Sequence, residues 1–162
     1  MKTKTAVPPN EPIIVMSRDY DAPRDLLWRV MTDPAHVAKW WGGEGIANPR
    51  CEMDVRPGGD WHHVMRFANG DELPLHYVFL EVDAPARLVW QHADHGTRAG
   101  GMPTTHITLT LEALGDRRTR WTMVARFTSL AMRDLAVEHG FTRPIAASND
   151  FLVGYLESLE TA

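Results

Sequence analysis

The spacing of apolar residues changes several times along the chain, and each change predicts a new kind of element. Residues 1–11 are polar and contain two prolines, which predicts a loose tail. Residues 12–20 are β-branched and apolar and then alternate, which predicts a strand. Two short helices are expected next. Asp21 would cap the first, and the second would run from Pro34 to a stop at Gly42.

The middle of the chain has the two-residue alternation that is typical of antiparallel strands. A Gly-rich loop is predicted over residues 94–103, and a two-residue hairpin turn at Asn69-Gly70. Such a type I′ turn needs positive φ at both central residues, which Asn and Gly tolerate. Strands are predicted over residues 59–68, 72–82, 87–93, 104–112 and 119–127.

Helical spacing returns near the end of the chain. A short helix is predicted over residues 130–138, and Gly140 separates it from a long helix that tolerates Pro144 in its first turn. A sheet with one apolar face must bury that face, and the long helix is the only large partner, so the predicted fold class is α+β. The inward stripe of this helix is predicted to contain Phe141, Ile145, Ser148, Leu152, Tyr155 (or Leu156) and Leu159.

Composition and charge exclude several classes of protein. The 162 residues suit one domain, expected over 12–162, and 44% hydrophobic with 23% charged residues is ordinary for a globular protein. A net charge of −4 gives no reason to expect nucleic acid or an anionic membrane as partner. The single Cys51 excludes a disulfide framework, and no apolar run reaches the length of a membrane span. A cytoplasmic location is the resulting expectation.

The chain is rich in tryptophan, which fits either a large aromatic core or an aromatic cavity. Alternation puts Trp61 and Trp121 on the inner face of the sheet. Trp40 and Trp41 end the second helix; we expect either that both are core or that one of them lines the mouth of a cavity. The six tryptophans are Trp28, Trp40, Trp41, Trp61, Trp90 and Trp121.

Several short strings, in this order, resemble the START-like (SRPBCC) superfamily, in particular its bacterial branch related to the C-terminal domain of the activator of Hsp90 ATPase (AHSA1-like). The resemblance covers roughly residues 12–160. The matching strings are Tyr20-Asp21-Ala22-Pro23, Leu27-Trp28, Thr32-Asp33-Pro34, Lys39-Trp40-Trp41-Gly42, Cys51-Glu52-Met53-Asp54, Arg56-Pro57-Gly58-Gly59, Trp61, Leu80-Glu81-Val82 and Arg87-Leu88.

This resemblance implies a helix-grip fold, in which a curved antiparallel sheet wraps around a long C-terminal helix and leaves a cavity between them. It does not imply one activity, because relatives bind lipids, hormones or polyketides and some catalyse cyclisation. The full chaperone activator carries another domain before this one, and the present chain begins the fold almost at once. A chaperone-associated interaction module is therefore only an analogy of fold, and a homodimer is expected by resemblance alone.

Histidines are the main candidates for polar chemistry. A two-residue turn pairs Ala68 with Asp71, and the same register sets His63 directly opposite His76. The face of His92 depends on the next hairpin. If Val82 pairs with Leu88, then Val78 faces His92 and brings it close to His76; if Val82 pairs with Arg87, His92 turns to the other face.

Three interpretations of these histidines stay open. They could be core or rim imidazoles satisfied by their neighbours, polar contacts that orient a ligand in an aromatic cavity, or zinc ligands. No fixed-spacing motif such as HExxH supports the zinc interpretation, so no metal or other cofactor is predicted. The acidic neighbours of Cys51 would raise the pKa of its thiol, and the serines occur in no GxSxG context, so no catalytic residue is predicted either.

Together these observations predict a protein that binds a small hydrophobic or aromatic molecule in an internal cavity. The enzyme alternative is a cyclase- or hydrolase-like activity with a cavity histidine as general acid or base. The interaction-module alternative would use the outer sheet face, where the Thr and His alternation at 104–110 argues against a large apolar patch. The predicted cavity residues are Trp41, Trp61, His63, Met65, His76, Val78, His92, Trp121, Met123, Ser148, Leu152 and Tyr155.

Overall fold

The computed structural model describes residues 2–93 and 105–160. The strands in this part of the chain are β1 (Lys4–Ala6), β2 (Ile13–Tyr20), β3 (Ala47–Met53), β4 (Asp60–Arg66), β5 (Glu72–Asp83), β6 (Arg87–His92), β7 (His106–Gly115) and β8 (Arg118–Arg126). The helices are α1 (Arg24–Thr32), α2 (Pro34–Trp40), α3 (Leu130–Glu138) and α4 (Thr142–Glu160). The predicted loop at 94–103 lies outside the described residues.

All eight strands form one antiparallel sheet in the order β1-β2-β8-β7-β6-β5-β4-β3. The strands from β3 to β8 are therefore a meander. Strand β2 pairs with β8, the last strand of that meander, and β1 and β3 form the two edges of the sheet. The sheet is curved, and α4 lies against its inner face, where Leu152 and Leu156 are buried. The predicted α+β helix-grip fold is confirmed.

Alternation along the strands separates an apolar inner face from a polar outer face, because successive side chains point to opposite sides. On β7 the inner residues Ile107, Leu109 and Leu111 are buried, as the sequence predicts. The outer residues Thr108 and Thr110 are partly exposed. The same alternation places Trp61 of β4 and Trp121 of β8 on the buried face.

Local capping explains where the helices begin. Asp33 caps α2 by accepting a hydrogen bond from the backbone N–H of Ala35 at 2.9 Å. Ser129 caps α3 by accepting one from the N–H of Met132 at 3.1 Å. The predicted cap of α1 is wrong, because Pro23 stands at that position and no side chain supplies the hydrogen bond.

The first hairpin differs from the prediction by one residue. Gly70 has φ of +92°, but Asn69 does not adopt positive φ, so the type I′ turn does not form. Instead the Gly70 N–H bonds to the carbonyl of Phe67 and the Phe67 N–H to that of Asp71. This is the pattern of a three-residue loop that ends in a left-handed glycine. The extra loop residue shifts the register, so His76 lies opposite His62 and not opposite His63.

The second hairpin contains an irregularity that the sequence does not reveal. Val82 pairs with Leu88, which was one of the two predicted registers. The register then shifts between Phe79 and Glu81, so His92 lies opposite Tyr77 instead of Val78. As a result, His92 shares the buried inner face with Tyr77.

Two further segments were predicted incompletely. The tail over residues 1–11 is not wholly loose, since β1 pairs with β2, and the buried Arg133 donates hydrogen bonds to the carbonyls of Pro8 and Glu11. The side chains of residues 1–11 did not indicate these contacts, because the contacts are made by the backbone of the segment. Strand β3 was not predicted at all, since it is mostly exposed and contains Pro49.

Candidate functional site

A cavity of about 310 Å³ lies between the inner face of the sheet and α4. The sheet supplies most of its wall, and the helices with the turn between α3 and α4 supply the rest. From the sheet it is lined by Trp61, Met65, Leu73, Leu75, Tyr77, Leu88, Trp90, His92, Ile107, Leu109, Trp121 and Met123, with Thr105 next to β7. From the helices and their ends it is lined by Met31, Trp40, Trp41, Gly42, His139, Gly140, Phe141, Pro144, Ile145, Ser148 and Asn149.

Aromatic rings crowd around Trp61 in this wall. Its ring stacks on Phe79 with a centroid distance of 5.7 Å and an interplanar angle of 7°. Trp41 and Trp90 meet it edge to face at 5.1 and 5.6 Å, and Tyr77 lies at 4.9 Å. Offset and edge-to-face contacts of this kind hold large rings in fixed orientations. On the side of β4 to β6 the wall is therefore mainly aromatic.

A polar network behind the wall fixes two of these tryptophans. Trp61 Nε1 donates a hydrogen bond to His63 Nδ1 at 3.2 Å, so the neutral His63 ring carries its proton on Nε2. His63 Nε2 donates in turn to Asn48 Oδ1 at 2.7 Å. The Asn48 amide donates to the carbonyls of Ala38 and Trp41, both at 3.0 Å. The network thus joins β3 and β4 to the end of α2.

Burial lowers the pKa of His63 to about 4, so this imidazole stays neutral at physiological pH. Both of its ring nitrogens bond to protein groups, and the side chain is not among those that line the cavity. His63 is therefore placed to position Trp61 and Asn48.

Polar groups do reach the cavity at two places. On the sheet side, His92 Nδ1 accepts a hydrogen bond from the backbone N–H of Thr105 at 3.1 Å, and its ring packs on Tyr77 at 4.8 Å. On the helix side, Ser148 and Asn149 are buried in the middle of α4. The Ser148 hydroxyl accepts a hydrogen bond from the Gly42 N–H at 2.8 Å. A molecule in the cavity would thus meet apolar rings with polar side chains at either side.

Gly42 is needed where α2 approaches the cavity. Its φ of +89° is in the region that favours glycine. A Cβ atom at this position would lie 2.7 Å from Ile46 Cγ2 and 2.9 Å from Met65 Cε. Both the backbone conformation and the space therefore require the absence of a side chain.

The structure brings together most of the predicted cavity residues. The seven that line the cavity are Trp41, Trp61, Met65, His92, Trp121, Met123 and Ser148. Leu152 is fully buried in the adjoining core. Trp40 and Trp41 both line the cavity, although Trp40 is buried and Trp41 is only half-buried.

His76, Val78 and Tyr155 were placed in the cavity wrongly. The one-residue register shift turns His76 and Val78 to the outer face, where both are partly exposed. Leu156 takes the inward position that was left open between it and Tyr155. Tyr155 packs beside α2 instead, where its hydroxyl lies 2.5 Å from His36 Nδ1, and it lines a separate surface cleft.

Sequence reasoning missed several wall residues, of which Tyr77 and Trp90 contribute the largest rings. Trp90 could have been found, because Leu88, Trp90 and His92 alternate along β6. Tyr77 could not, because the predicted hairpin turned it outward. Asn149 also lines the cavity, although it is not part of the predicted helix stripe.

The cavity wall limits the chemistry that the site can perform. Among its described residues the ionisable side chains are the imidazoles of His92 and His139 and the phenol of Tyr77, with no carboxylate and no thiol. A zinc site built from His63, His76 and His92 is excluded by the register, since His76 faces the other way. Cys51 lies on β3, and burial raises the pKa of its thiol to about 11. It is therefore protonated at neutral pH.

No helix in the described part of the chain is both long and apolar enough to cross a membrane.

Comparison with solved structures finds the same architecture in bacterial proteins. Protein NE0264 from Nitrosomonas europaea superposes with a TM-score of 0.81 at 26% identity, over 93% of this chain and 97% of that one. A protein from Rhodobacter sphaeroides has a TM-score of 0.84 at 19% identity, over 98% and 99%. A protein from Arthrobacter aurescens gives 0.84 at 21%, over 96% and 91%. The last two support the fold alone.

Comparison with curated proteins finds no significant match. The family model described as "Activator of Hsp90 ATPase homolog 1-like protein" matches residues 21–157, which is most of the chain. This range runs from just before α1 to near the end of α4 and so includes every described residue of the cavity wall. The chain therefore belongs to the family of Activator of Hsp90 ATPase homolog 1-like proteins.

Proposed function

We propose that this protein binds a small aromatic or hydrophobic molecule carrying one hydroxyl or carbonyl group in the cavity between the sheet and α4. The observation that carries the proposal is a cavity of about 310 Å³ whose wall is mostly aromatic and aliphatic, with polar side chains at His92 and Thr105 on one side and at His139, Ser148 and Asn149 on the other. Pockets for small molecules typically combine apolar surface with a few polar groups in this way.

The size of the cavity limits the ligand. An apolar cavity of about 150 Å³ holds benzene, so 310 Å³ suits about two fused rings or an equivalent aliphatic skeleton. Rings and methionine side chains such as Met65 and Met123 give contact that tolerates differences in ligand shape. The apolar skeleton would supply most of the affinity.

The polar side chains would set the orientation of the ligand. On binding, a ligand hydroxyl or carbonyl near His92 would replace its hydrogen bond to water by one to the imidazole. A group near Asn149 would replace it by one to the carboxamide. A hydrogen bond of this kind contributes about 0.5–1.5 kcal/mol, a preference of roughly two- to twelvefold. His63 would act indirectly, since its hydrogen bonds to Trp61 and Asn48 hold the wall in place.

The enzyme alternative has less support. General acid–base catalysis by His92 needs a second group to activate or stabilise the reacting atoms. Among the described residues of the wall, the Tyr77 phenol and the His139 imidazole are the other ionisable groups, and there is no carboxylate. The aromatic and aliphatic surface that makes up most of the wall supports binding in preference to turnover.

The proposal is tested by comparing 1-naphthol with naphthalene as ligands in isothermal titration. Wild-type protein should bind both and prefer 1-naphthol about fivefold. His92→Phe should reduce that preference while retaining affinity for naphthalene. His106→Phe, on the outer face of β7, is the matched control and should leave both affinities unchanged. If neither compound binds, or if the preference is equal in His92→Phe and wild type, the polar contact is refuted.

A further inference from the structure

The register shift that removes His76 from the cavity creates a new cluster on the outer face of the sheet. His62 of β4 and His76 of β5 are direct cross-strand partners. Their rings stack with centroids 4.0 Å apart and an interplanar angle of 18°. Both side chains are partly exposed, so both can be reached from solvent.

A carboxylate completes this cluster. Asp60 lies two residues before His62 and therefore on the same face. His76 Nε2 lies 2.9 Å from Asp60 Oδ1. One potential ligand atom from each of Asp60, His62 and His76 lies within 4.8 Å of the other two.

The donor set and its spacing suit a transition metal. Two imidazoles and a carboxylate are the ligands that Zn²⁺ accepts in sites that keep a position for water. With metal–ligand bonds of about 2.0–2.1 Å, neighbouring ligands of a tetrahedral ion lie about 3.4 Å apart. The 2.9 Å separation of the His76 and Asp60 atoms is close to that value. To direct both imidazole lone pairs at one ion, the His62 and His76 rings must rotate out of their stacked arrangement, which partly exposed side chains can do.

The surroundings of the cluster hold the backbone of its ligands in place. Strands β4 and β5 lie inside the sheet, between β3 and β6, so the backbone under the cluster is paired on both sides. Glu52 of β3 is the cross-strand partner of His62, which puts a second carboxylate beside the imidazoles. That carboxylate is paired with Arg50 at 2.8 Å, so the pair adds no net charge and leaves Asp60 as the carboxylate ligand.

We propose that Asp60, His62 and His76 form a binding site for a divalent transition-metal ion of the Zn²⁺ type, with at least one coordination position open to solvent. The site is on the opposite face of the sheet from the cavity and does not depend on the proposed ligand. A bound ion would join β4 to β5, and the open position would accept water or a donor atom from another molecule. Hard oxygen-seeking ions such as Mg²⁺ should bind poorly, because two of the three ligands are imidazoles.

The test is titration of the metal-free protein with Zn²⁺ at pH 7.5 by isothermal calorimetry, beside Mg²⁺. We expect one Zn²⁺ per chain and no measurable Mg²⁺ binding. Thermal unfolding at a hundredfold excess of Zn²⁺ over Kd should show Tm raised by about 5–10 °C. His62→Gln and His76→Gln should each weaken Zn²⁺ binding at least tenfold. His106→Gln, a histidine on the same outer face, is the control and should bind like wild type.

Two results would overturn the proposal: Zn²⁺ affinity in the double variant His62→Gln/His76→Gln equal to wild type, or binding lost equally in His106→Gln. If the variants do not fold, the wild-type protein still gives an answer. Substoichiometric Cu²⁺ should broaden the amide resonances of residues 60–62 and 75–77 before all others, and uniform broadening would contradict the site. In the folded double variant, 1-naphthol affinity should be unchanged, which separates this test from that of the cavity.

Discussion

His63 shows how a histidine can serve an aromatic cavity without contacting its contents. The ring is almost completely buried, accepts a hydrogen bond from Trp61 and donates one to Asn48. Such a neutral, fully bonded imidazole holds neighbouring side chains in place, and losing one of its partners leaves a buried polar atom unsatisfied. Trp61 and the end of α2 therefore depend on the protonation state of a residue behind the wall.

The first prediction concerns the pH dependence of stability. The pKa of His63 is about 4 in the folded protein and about 6.5 in an unfolded chain. Between these values the unfolded state binds more protons, so the free energy of unfolding must fall as pH falls from 6.5 to 4. The decrease is up to about 1.4 kcal/mol per pH unit. Urea unfolding from pH 7.5 to 4.5 should show this slope reduced in His63→Gln, although that variant is less stable throughout. An identical slope in the two proteins would mean that His63 is protonated in the folded state.

The second prediction concerns Gly42. Gly42→Ala should lose more stability than Gly45→Ala, a control with a similar φ of +81° but nothing within 4 Å of the added Cβ. The control should lose about 1 kcal/mol for the left-handed conformation alone. Gly42→Ala adds contacts with Ile46 and Met65 and should lose about 2 kcal/mol or more. Chemical denaturation of both variants measures the difference. Equal losses of stability in the two variants would show that Ile46 and Met65 can move away from the added Cβ at no cost.

At the scale of elements, the hairpin between β4 and β5 decides which residues reach the cavity. A two-residue turn was predicted from Asn69-Gly70, and the three-residue loop that forms instead turns His76 outward and Tyr77 inward. Sequence alone does not separate these turns, because Asn and Gly suit both and the difference is whether Asn69 adopts positive φ. A local choice of backbone conformation thus sets the face of an entire strand.

Elements with a strong period or a clear cap could be predicted, and elements held by backbone contacts could not. Helix α3 forms over the predicted residues, because Ser129 caps it and Gly140 ends it. Strands β7 and β8 alternate cleanly and have the predicted inner faces. Strand β1 and the exposed β3 have no apolar face, so nothing in their side chains distinguished them from loops.

The third prediction tests how the end of α2 is joined to α4. Ser148→Ala removes the hydrogen bond that the Gly42 N–H donates to the buried hydroxyl. We expect a loss of about 1–2 kcal/mol in the free energy of unfolding, since the backbone donor is left without its acceptor. Ser158→Ala on the exposed side of the same helix is the control and should change stability by less than about 0.5 kcal/mol. A loss no larger in Ser148→Ala than in the control would mean that the bond does not join the two helices.

At the scale of the whole molecule, the curved sheet and α4 are not in contact at the centre of their interface. Large rings on β4 to β6 and small polar residues on the facing side of α4 leave a space of about 310 Å³. The fold class follows from the sequence because one apolar sheet face needs one large amphipathic helix. The shape of the space does not, since it depends on two hairpin registers and on the side chains that they turn inward.

Blocking the cavity tests the proposed function most directly. Ile145 of α4 lines the cavity and is only partly buried, so a larger side chain can enter the space without rebuilding the core. Isothermal titration of 1-naphthol should show one site per chain in wild type and at least tenfold weaker binding in Ile145→Trp. Phe151→Trp, on the exposed side of the same helix, should bind like wild type. Unchanged affinity in folded Ile145→Trp would place the binding site elsewhere and contradict the cavity as the functional site of this protein.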